Sequence, residues 1–455
     1  MSLRRALLLS GAIVFIAGCA VTVLVLIGSG IGVQALAIGL VAAILPVPIL
    51  VLAFLWLDRY EPEPTAYLII CFAWGAFVAT LAALGVNTGA SALFEVVGLP
   101  DELVAVAVAP FIEEIGKVVP AVALLVMARR SGQGLSGITD GIVYCGLAAT
   151  GFAMVENIIY LGGLGWRAGL EEAGPATGLF NLLLVFAARI LMSGFAHPLF
   201  TAAAGVGLGI AARTTSTAVR WLAPILGLAV AMLLHAAWNT MAVLTAVLVE
   251  PLLFLYGYVG VMMPIFFGMV GLAIWLRARE GQITQRTLPD YVRAGWLTPP
   301  EVAALRSLGT RHSARRWARR VAGEPGVRAM RRFQYAATRL ALLRDGVRRG
   351  LQHRPAVQAR IVAQEQELLA ELSAQRAVYV GRDPAVPPAH WDGVAYTITF
   401  PDGSVRRVPP PPEPAVPLPV RLPAVSGPPA VPAVWPGHPS QPPPPDQRWQ
   451  PGGYR

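Results

Sequence analysis

The sequence predicts an all-α fold, a polytopic membrane helix bundle of about eight transmembrane helices with a cytoplasmic helical segment and a Pro-rich disordered tail. The 455-residue chain is 55% hydrophobic and only 14% charged, whereas soluble domains are typically about 25% charged. Charges are sparse up to about residue 278 and frequent beyond it. The chain therefore divides into a transmembrane domain (1–280), a cytoplasmic helical region (281–381) and a small hairpin with the tail (382–455).

The membrane spans follow from the length of the apolar runs. A bilayer core of about 30 Å requires about 20 apolar helical residues. Eight runs reach this length, at about 6–27, 33–57, 66–87, 103–128, 138–162, 179–211, 221–248 and 252–276. The sixth run is too long for one straight span, and we expect Gly194, Pro198 or the Gly205/Gly209 pair to tilt or break it.

Arginines between the runs predict the orientation. One side of an eight-span arrangement carries Arg4, Arg5, Arg59, Arg129, Arg130, Arg213, Arg220, Arg277 and Arg279, and the other side carries only Arg167. The positive-inside rule then places both termini in the cytoplasm. The net charge of +10 fits this bias together with a solvated cytoplasmic face better than it fits binding of nucleic acid or anionic lipid, so no nucleic acid partner is expected.

Beyond the last run the pattern becomes that of helices with solvated faces. Apolar residues recur at three- and four-residue spacing from Phe333 to Leu351, and a second helix is predicted at about 357–377. The segment Val394–Val408 is typical of a β-hairpin with Asp402-Gly403 at its turn. From Pro409 onward prolines dominate, which predicts an extended or disordered tail, either a binding segment for a partner or an inert one.

Several apolar runs contain ionisable or amide side chains, which are costly in a bilayer and therefore indicate function. They fall at similar depths on four runs. They are Glu113, Glu114 and Lys117 on the fourth run, Glu156 and Asn157 on the fifth, Arg189, Ser193 and His197 on the sixth, and His235 and Asn239 on the seventh. The structural alternative is that these residues only pair with one another, the carboxylates with Lys117 and the histidines between helices.

Lys117 is unusual because it is the only lysine among 36 basic residues. A desolvated lysine can release its proton or donate from a compact head, and arginine does neither. Its position beside two glutamates favours a role in chemistry over chance.

At these residues the sequence resembles the PrsW family of bacterial intramembrane proteases, within the wider group that includes the CAAX prenyl endopeptidases. Glu113-Glu114-Ile115-Gly116-Lys117 is similar to the family's Glu-Glu-x-x-Lys motif, and Phe152 to Glu156 to its Phe-x-x-x-Glu motif. His197, and His235 with Asn239, are similar to its two histidine-bearing helices, and Asp58–Pro64 resembles its first cytoplasmic loop. The resemblance covers roughly residues 50–250.

This resemblance implies an intramembrane endopeptidase of the bacterial cytoplasmic membrane that cleaves a single-span membrane protein in the lipid bilayer, such as an anti-sigma factor in stress signalling. The expected catalytic residues are Glu113, Glu114, Lys117, Glu156, His197, His235 and Asn239. Either glutamate of the first motif can serve as the base that activates water, with the histidines and Asn239 stabilising the oxyanion. A second mechanism remains open, in which Glu156, His197 and His235 bind zinc.

Two other functions compete with proteolysis. An ion-coupled transporter also carries carboxylates at the bilayer midplane, but the sequence shows no inverted repeat with matching broken spans. A non-catalytic scaffold would use the Pro-rich tail to recruit partners. Two other intramembrane protease chemistries lack their motifs, since the chain has neither His-Glu-x-x-His nor Gly-x-Gly-Asp. A rhomboid-like Gly-x-Ser-Gly occurs at residues 134–137, but it lies in the loop before the fifth run, far from the depth of the two histidines.

Overall fold

A computed structural model describes residues 3–58, 63–131, 134–293, 296–297, 299–348, 355–379, 382, 389–391, 396–399 and 405–408. The chain separates into two compact units, residues 1–277 and residues 278–455. The predicted turn at Asp402-Gly403 and the predicted disordered tail from Pro409 lie outside the described residues.

The first unit is built from α-helices interrupted by π-helical segments. The α-helices are α1 (Leu3–Ile31), α2 (Val33–Ile44), α3 (Val47–Leu57), α4 (Thr65–Ala73), α5 (Thr80–Val97), α6 (Ala109–Ser131), α7 (Ile138–Ile158), α8 (Ala168–Ala173), α9 (Pro175–Phe186), α10 (Ala196–Arg213), α11 (Thr217–Val247), α12 (Pro251–Gly257) and α13 (Met263–Thr287). The π-helical segments are Trp74–Ala79, Val104–Val108, Ile159–Arg167, Ala187–Met192 and Tyr258–Met262.

Seven helical stretches in the described residues are long and apolar enough to cross a membrane: Ser10–Ile31, Val33–Leu57, Thr65–Val97, Ile138–Ala173, Pro175–Arg213, Thr217–Val247 and Leu252–Val292. The remaining predicted span, 103–128, is also helical, as the π-helical segment Val104–Val108 followed by α6. Its central charged residues make it less apolar than the other seven. The predicted polytopic helical bundle is confirmed, and the chain is an integral membrane protein.

Helix α7 is the central helix of this unit, and nearly all of its residues are buried. It contacts α2, α3, α4, α6 and α10. Small residues permit the close approach of these neighbours: a Cβ atom on Gly141 would lie 2.0 Å from the carbonyl oxygen of Gly205 on α10. Small residues at contacts between membrane helices let backbones approach closely, which strengthens their packing. The packing of α7 brings Glu156 to the interior.

The long sixth run is broken where the sequence predicted a break. The π-helical segment Ala187–Met192 ends at Ser193, and α10 begins at Ala196. Gly194 lies in the turn between them, and Pro198 occupies the first turn of α10, where a missing backbone N–H costs little. The break places His197 in the first turn of a new helix inside the unit.

The second unit contains α14 (Pro289–Arg293), α15 (Pro299–Ala304), α16 (Leu308–Arg348), α17 (Pro355–Arg376) and the strands β1 (Ala389–Trp391), β2 (Tyr396–Thr399) and β3 (Val405–Val408). Its own core joins residues from α14 to Tyr379, among them Phe333, Leu340 and Leu372. Strands β2 and β3 pair antiparallel, with Tyr396 opposite Val408, in the segment predicted as a hairpin. β1 extends the sheet on the other edge of β2.

Candidate active site

The fourth predicted run supplies the centre of the site. On α6, Glu113, Glu114 and Lys117 are spaced so that the lysine lies one helical turn after both carboxylates. Lys117 Nζ donates to Glu113 Oε2 at 3.2 Å and to Glu114 Oε1 at 2.9 Å. All three side chains are buried, and Glu114 and Lys117 are fully inaccessible. Such pairing makes charges tolerable in an apolar interior.

Lys117 also links α6 to two other helices. Its Nζ lies 3.0 Å from His197 Nδ1 on α10 and 4.0 Å from the centre of the Phe152 ring on α7. Because an ammonium group can only donate, the network assigns His197 Nδ1 as the acceptor and His197 Nε2 as the protonated nitrogen. The single lysine of the chain therefore fixes the tautomer of a histidine.

Both carboxylate oxygens of Glu114 take part in hydrogen bonds, with three partners in all. Its Oε1 accepts from Lys117 and lies 3.0 Å from His235 Nδ1, while its Oε2 accepts from Thr201 Oγ1 at 2.7 Å. The carboxylate is therefore the acceptor for His235 Nδ1–H, which leaves His235 Nε2 with its lone pair when the ring is neutral. Glu114 is thus a buried anchor that orients His235 on α11.

Glu113 has a different environment from its neighbour. Its Oε2 lies 3.7 Å from His235 Nε2, which is beyond a direct hydrogen bond. No described residue bonds its Oε1, and the residue is 6% exposed whereas Glu114 is 0% exposed. The two glutamates of one motif therefore differ, and Glu113 is the one with an oxygen left to bind water or a metal.

Glu156 binds the other side of His197. Its Oε2 accepts from His197 Nε2 at 2.7 Å and from Arg189 Nη2 at 2.7 Å. Arg189, in the π-helical segment before the break, also donates from Nε to Asn157 Oδ1 at 3.2 Å and stacks on the Tyr160 ring at 3.8 Å. This arrangement holds both nitrogens of His197 in place.

The two histidine rings are in contact. Their centroids are 4.9 Å apart with an edge-to-face geometry, and Phe200 stacks on His235 at 5.5 Å. Phe152 lies 5.7 Å from His197. Apolar rings thus border the polar cluster and limit the access of water to it.

Six of the seven predicted catalytic residues are joined by these contacts, and Asn239 is the exception. Its Nδ2 donates to the backbone oxygen of Ala105 at 2.8 Å, in the π-helical segment before α6. Asn239 therefore connects α11 to the π-helical segment before α6 rather than bonding the histidines. The sequence reasoning missed Thr201, whose signal was its position four residues after His197 on the same helix face.

The loop before α4 is also anchored to the central helix. Glu63 Oε2 accepts from Tyr144 Oη on α7 at 2.6 Å, and the backbone N–H of Glu63 donates to Asp58 Oδ2 at 2.8 Å. Residues 59–62 of this motif lie outside the described residues. The contacts hold the ends of the loop against α7 without involving the buried cluster.

Three residues of the cluster have the geometry of a metal site. One ligand atom each from Glu113, His197 and His235 lie within 4.8 Å of one another, and all three residues are buried. Two imidazoles and a carboxylate are a donor set that binds catalytic zinc. This set differs from the predicted one by a carboxylate, because Glu156 instead bonds Arg189 and His197 Nε2.

Two further observations bear on the fit of a metal. His235 Nδ1 lies against the Glu114 carboxylate, the outer contact that metal-binding histidines usually make. With neutral histidines, the carboxylates Glu113, Glu114 and Glu156 exceed the cations Lys117 and Arg189 by one negative charge, which a cation would offset. The residues fit a metal, although His197 can offer Nε2 only after releasing Glu156.

Comparison with known proteins identifies the membrane unit. Residues 63–280 match the family model described as PrsW family intramembrane metalloprotease. No curated protein and no solved structure gave a match. The matched range contains every residue of the buried cluster. Over residues 63–280, just under half of the chain, the protein is therefore similar to the PrsW family of intramembrane metalloproteases, and this match supports the activity of an intramembrane protease.

Proposed function

We propose that this protein hydrolyses a peptide bond of a single-span membrane-protein substrate with a water activated by Glu113. The observation that carries the proposal is the 3.7 Å separation of Glu113 Oε2 and His235 Nε2. At this separation the two groups do not bond each other directly, and a water beside them can bond both Glu113 and His235. Both side chains are buried, so this water would be shielded from bulk solvent.

Glu113 is the base in this mechanism. It takes a proton from the water as the oxygen attacks the substrate carbonyl, and it returns the proton to the leaving amine. Glu114 does not share this role, because both of its oxygens already accept hydrogen bonds from Lys117, His235 and Thr201. It holds His235 in one orientation and leaves Nε2 directed at Glu113.

The developing oxyanion requires a donor close to Glu113. In the absence of a metal, a protonated His235 Nε2 would donate to it, and Lys117 lies 3.2 Å from Glu113 Oε2 to balance the charge. His197 is positioned by Lys117 and Glu156, and Asn239 ties α11 to the π-helical segment that leads into α6. These assignments give each of the seven predicted catalytic residues a role in binding or positioning.

A zinc ion would be held by Glu113, His197 and His235. When bound, zinc supplies a water of lowered pKa and polarises the substrate carbonyl. In that case the carboxylate that takes the proton must be one that does not bind the metal, and Glu156 is the remaining candidate. Zinc content and activity therefore have to be measured together.

The chain is further proposed to reside in the bacterial cytoplasmic membrane with both termini in the cytoplasm. The arginines of the alternate loops support this orientation. The family resemblance supports an anti-sigma factor as the substrate, and the Pro-rich tail is proposed as a binding segment for a partner protein.

The test uses the purified full-length protein in lipid bicelles with a single-span substrate, with and without a chelator. Glu113→Gln keeps the size of the side chain but removes the base, so we expect cleavage to fall by about 100-fold or more. Glu171→Gln is the matched control because Glu171 is exposed and bonds only Arg167 among the described residues. It should cleave at the parent rate.

Metal content separates the two mechanisms. If zinc is resident, His235→Ala should lower both the bound zinc and the cleavage rate, and the chelator should abolish cleavage. If His235 only donates to the oxyanion, cleavage falls while the chelator has no effect. Normal cleavage by a folded Glu113→Gln protein would overturn the proposal.

A further inference from the structure

The second unit carries a basic helical hairpin. Within α16, Gly323 adopts φ 62° and separates a helix before it from a helix after it. The two helices run antiparallel, because Arg311 Nη2 donates to Thr338 Oγ1 at 3.0 Å, while Arg315, one turn later, donates to Gln334 Oε1, one turn before Thr338, at 3.2 Å. Residues 308–348 contain eleven arginines and two acidic residues, a formal net charge of +9.

The exposed arginines form two stripes. Arg316 and Arg320 are four residues apart on the first helix, and Arg328, Arg331 and Arg332 share one face of the second helix. All five are exposed. Residues of this spacing lie side by side on a helix, so each helix presents a continuous row of guanidinium groups.

Both stripes lie on the same outer face of the hairpin. Ala314 and Ala318 of the first helix enter the core of the second unit, as do Phe333 and Leu340 of the second helix. Arg316 lies about 180° around the helix axis from the midpoint of the two alanines, at 100° per residue. The stripes thus point away from the core that the two helices share.

These five arginines have no partner among the described residues. Arg319, next to them, pairs with Glu324 at 2.8 Å across the turn, with both side chains more than half exposed. Glu324 is the only acidic residue between the two stripes. A surface that gathers unpaired guanidinium groups on one face is suited to a planar array of anions.

We propose that this arginine face binds the anionic lipid headgroups of the bilayer that holds the chain's own membrane helices. The hairpin begins at Leu308, 31 residues after the membrane unit ends at Arg277. This short tether gives lipid headgroups a higher effective concentration at the face than any partner in solution would have. Clusters of arginines close to a membrane span bind anionic lipid by electrostatic attraction. The inference does not depend on the protease mechanism.

The test places the full-length protein in nanodiscs of phosphatidylcholine alone or with phosphatidylglycerol. A donor fluorophore attached through Ser313→Cys, an exposed position on the first helix, reports energy transfer to a headgroup-labelled lipid. The native cysteines are all buried, and the parent protein without this substitution corrects for any labelling of them. We expect transfer to rise with phosphatidylglycerol, and the rise to disappear in about 1 M NaCl, where the Debye length is about 3 Å.

Two sets of variants identify the groups responsible. Changing all five arginines to glutamine should reduce the rise by about fivefold or more, whereas changing them to lysine keeps the charge and should retain most of it. Changing only Arg316 and Arg320, or only the other three, should give intermediate values. The partial variants keep the test valid if the variant with all five arginines changed to glutamine does not fold.

Three outcomes would overturn the proposal. Transfer could be equal in neutral and anionic discs, or the folded glutamine variants could keep the full rise. A labelled DNA duplex could also bind the protein in neutral discs through the same arginines, while anionic lipid has no effect. The last result would assign the face to nucleic acid.

Discussion

At the residue scale, the site depends on how differently two adjacent glutamates are bonded. Glu114 accepts three hydrogen bonds and is fully buried, while Glu113 keeps one oxygen without a described partner. A carboxylate that already accepts hydrogen bonds on both oxygens is a weaker base for a new proton, because protonation would disturb existing bonds. In the proposed mechanism Glu114 therefore positions His235, and Glu113 takes the proton from water.

Lys117→Arg tests whether the lysine acts only as a counter-ion. Lys117 Nζ fits among acceptors at 2.9–3.2 Å and a phenyl ring at 4.0 Å, with no exposed surface. A planar guanidinium is larger and cannot present one compact donor at that point. We expect the cleavage rate to fall on the order of 100-fold, as for a displaced catalytic group.

The control for this exchange is Arg316→Lys, an exchange of the same two residue types at an exposed site. It should leave cleavage unchanged, and the amount of folded protein in the membrane should be equal for both variants. Substantial cleavage by Lys117→Arg would show that charge alone is required.

At the element scale, the contact between α7 and α10 sets the distance between Glu156 and His197. A Cβ atom on Gly205 would lie 2.3 Å from the carbonyl oxygen of Gly141, closer than any van der Waals contact. We expect Gly205→Ala to separate the helices and to lower the free energy of unfolding by about 1–3 kcal/mol. Thermal unfolding in detergent measures this loss, and cleavage should fall with it.

Gly89→Ala is the matched control, because nothing lies within 4 Å of the Cβ atom that it adds on α5. It should unfold at the parent temperature or slightly above it, since alanine favours helix over glycine by about 1 kcal/mol. Equal unfolding temperatures for the two variants would mean that the α7–α10 contact is not tight in the membrane.

The helix bounds also change where topology should be measured. Gly89 and Glu172 lie close to the predicted external loops, but the structure places them inside α5 and α8. The breaks after these helices are at Gly98 and Gly174. Reporters inserted after Pro100 and after Gly174 should therefore be external, whereas fusions after Arg130, Arg213 and Arg279 should be cytoplasmic.

An external signal at Arg279 combined with a cytoplasmic one at Arg130 would contradict this topology. It would mean that an odd number of helices crosses between them. Because α6 is not among the seven stretches that are long and apolar enough to cross a membrane, the reporter at Arg130 is the most informative of the set.

At the scale of the whole molecule, the two units have separate cores. The core of the second unit includes Leu369, Leu372 and Tyr379, and no described residue beyond Tyr379 contributes to it. Arg376 bonds Glu301 at 2.7 Å in the same interior, and burial with this carboxylate nearby raises the pKa of Tyr379 well above its ordinary value. The residues that build the core of the second unit therefore end close to residue 379.

Deleting residues 382–455 should leave both units folded and cleavage intact, because the removed segment adds nothing to either described core. Deleting residues 368–455 is the matched control, since it removes core residues of α17 and should unfold the second unit. Limited proteolysis and thermal unfolding of the purified proteins measure the two outcomes. Unfolding of the membrane unit by the shorter deletion would show that the tail supports it.

The sequence by itself determined the class of the fold and most of the residues that meet in the buried cluster. Apolar runs of about 20 residues specify membrane helices because the bilayer requires internal hydrogen bonding. Ionisable residues within such runs are costly, so they identified six of the residues that meet in the buried cluster. The break near Gly194 could also be predicted, since it follows from local backbone properties.

Only the tertiary structure decided how these residues are used. Whether Glu113 or Glu114 faces His235 Nε2 depends on the rotation of α6 against α11, which side-chain packing sets and hydropathy does not. The same rotation turns Asn239 towards Ala105. Glu113, rather than Glu156, is the carboxylate grouped with the histidines as a possible metal site. Glu156 is instead engaged by Arg189, which lies in the π-helical segment before α10. Contacts between residues this far apart in sequence are fixed by packing alone.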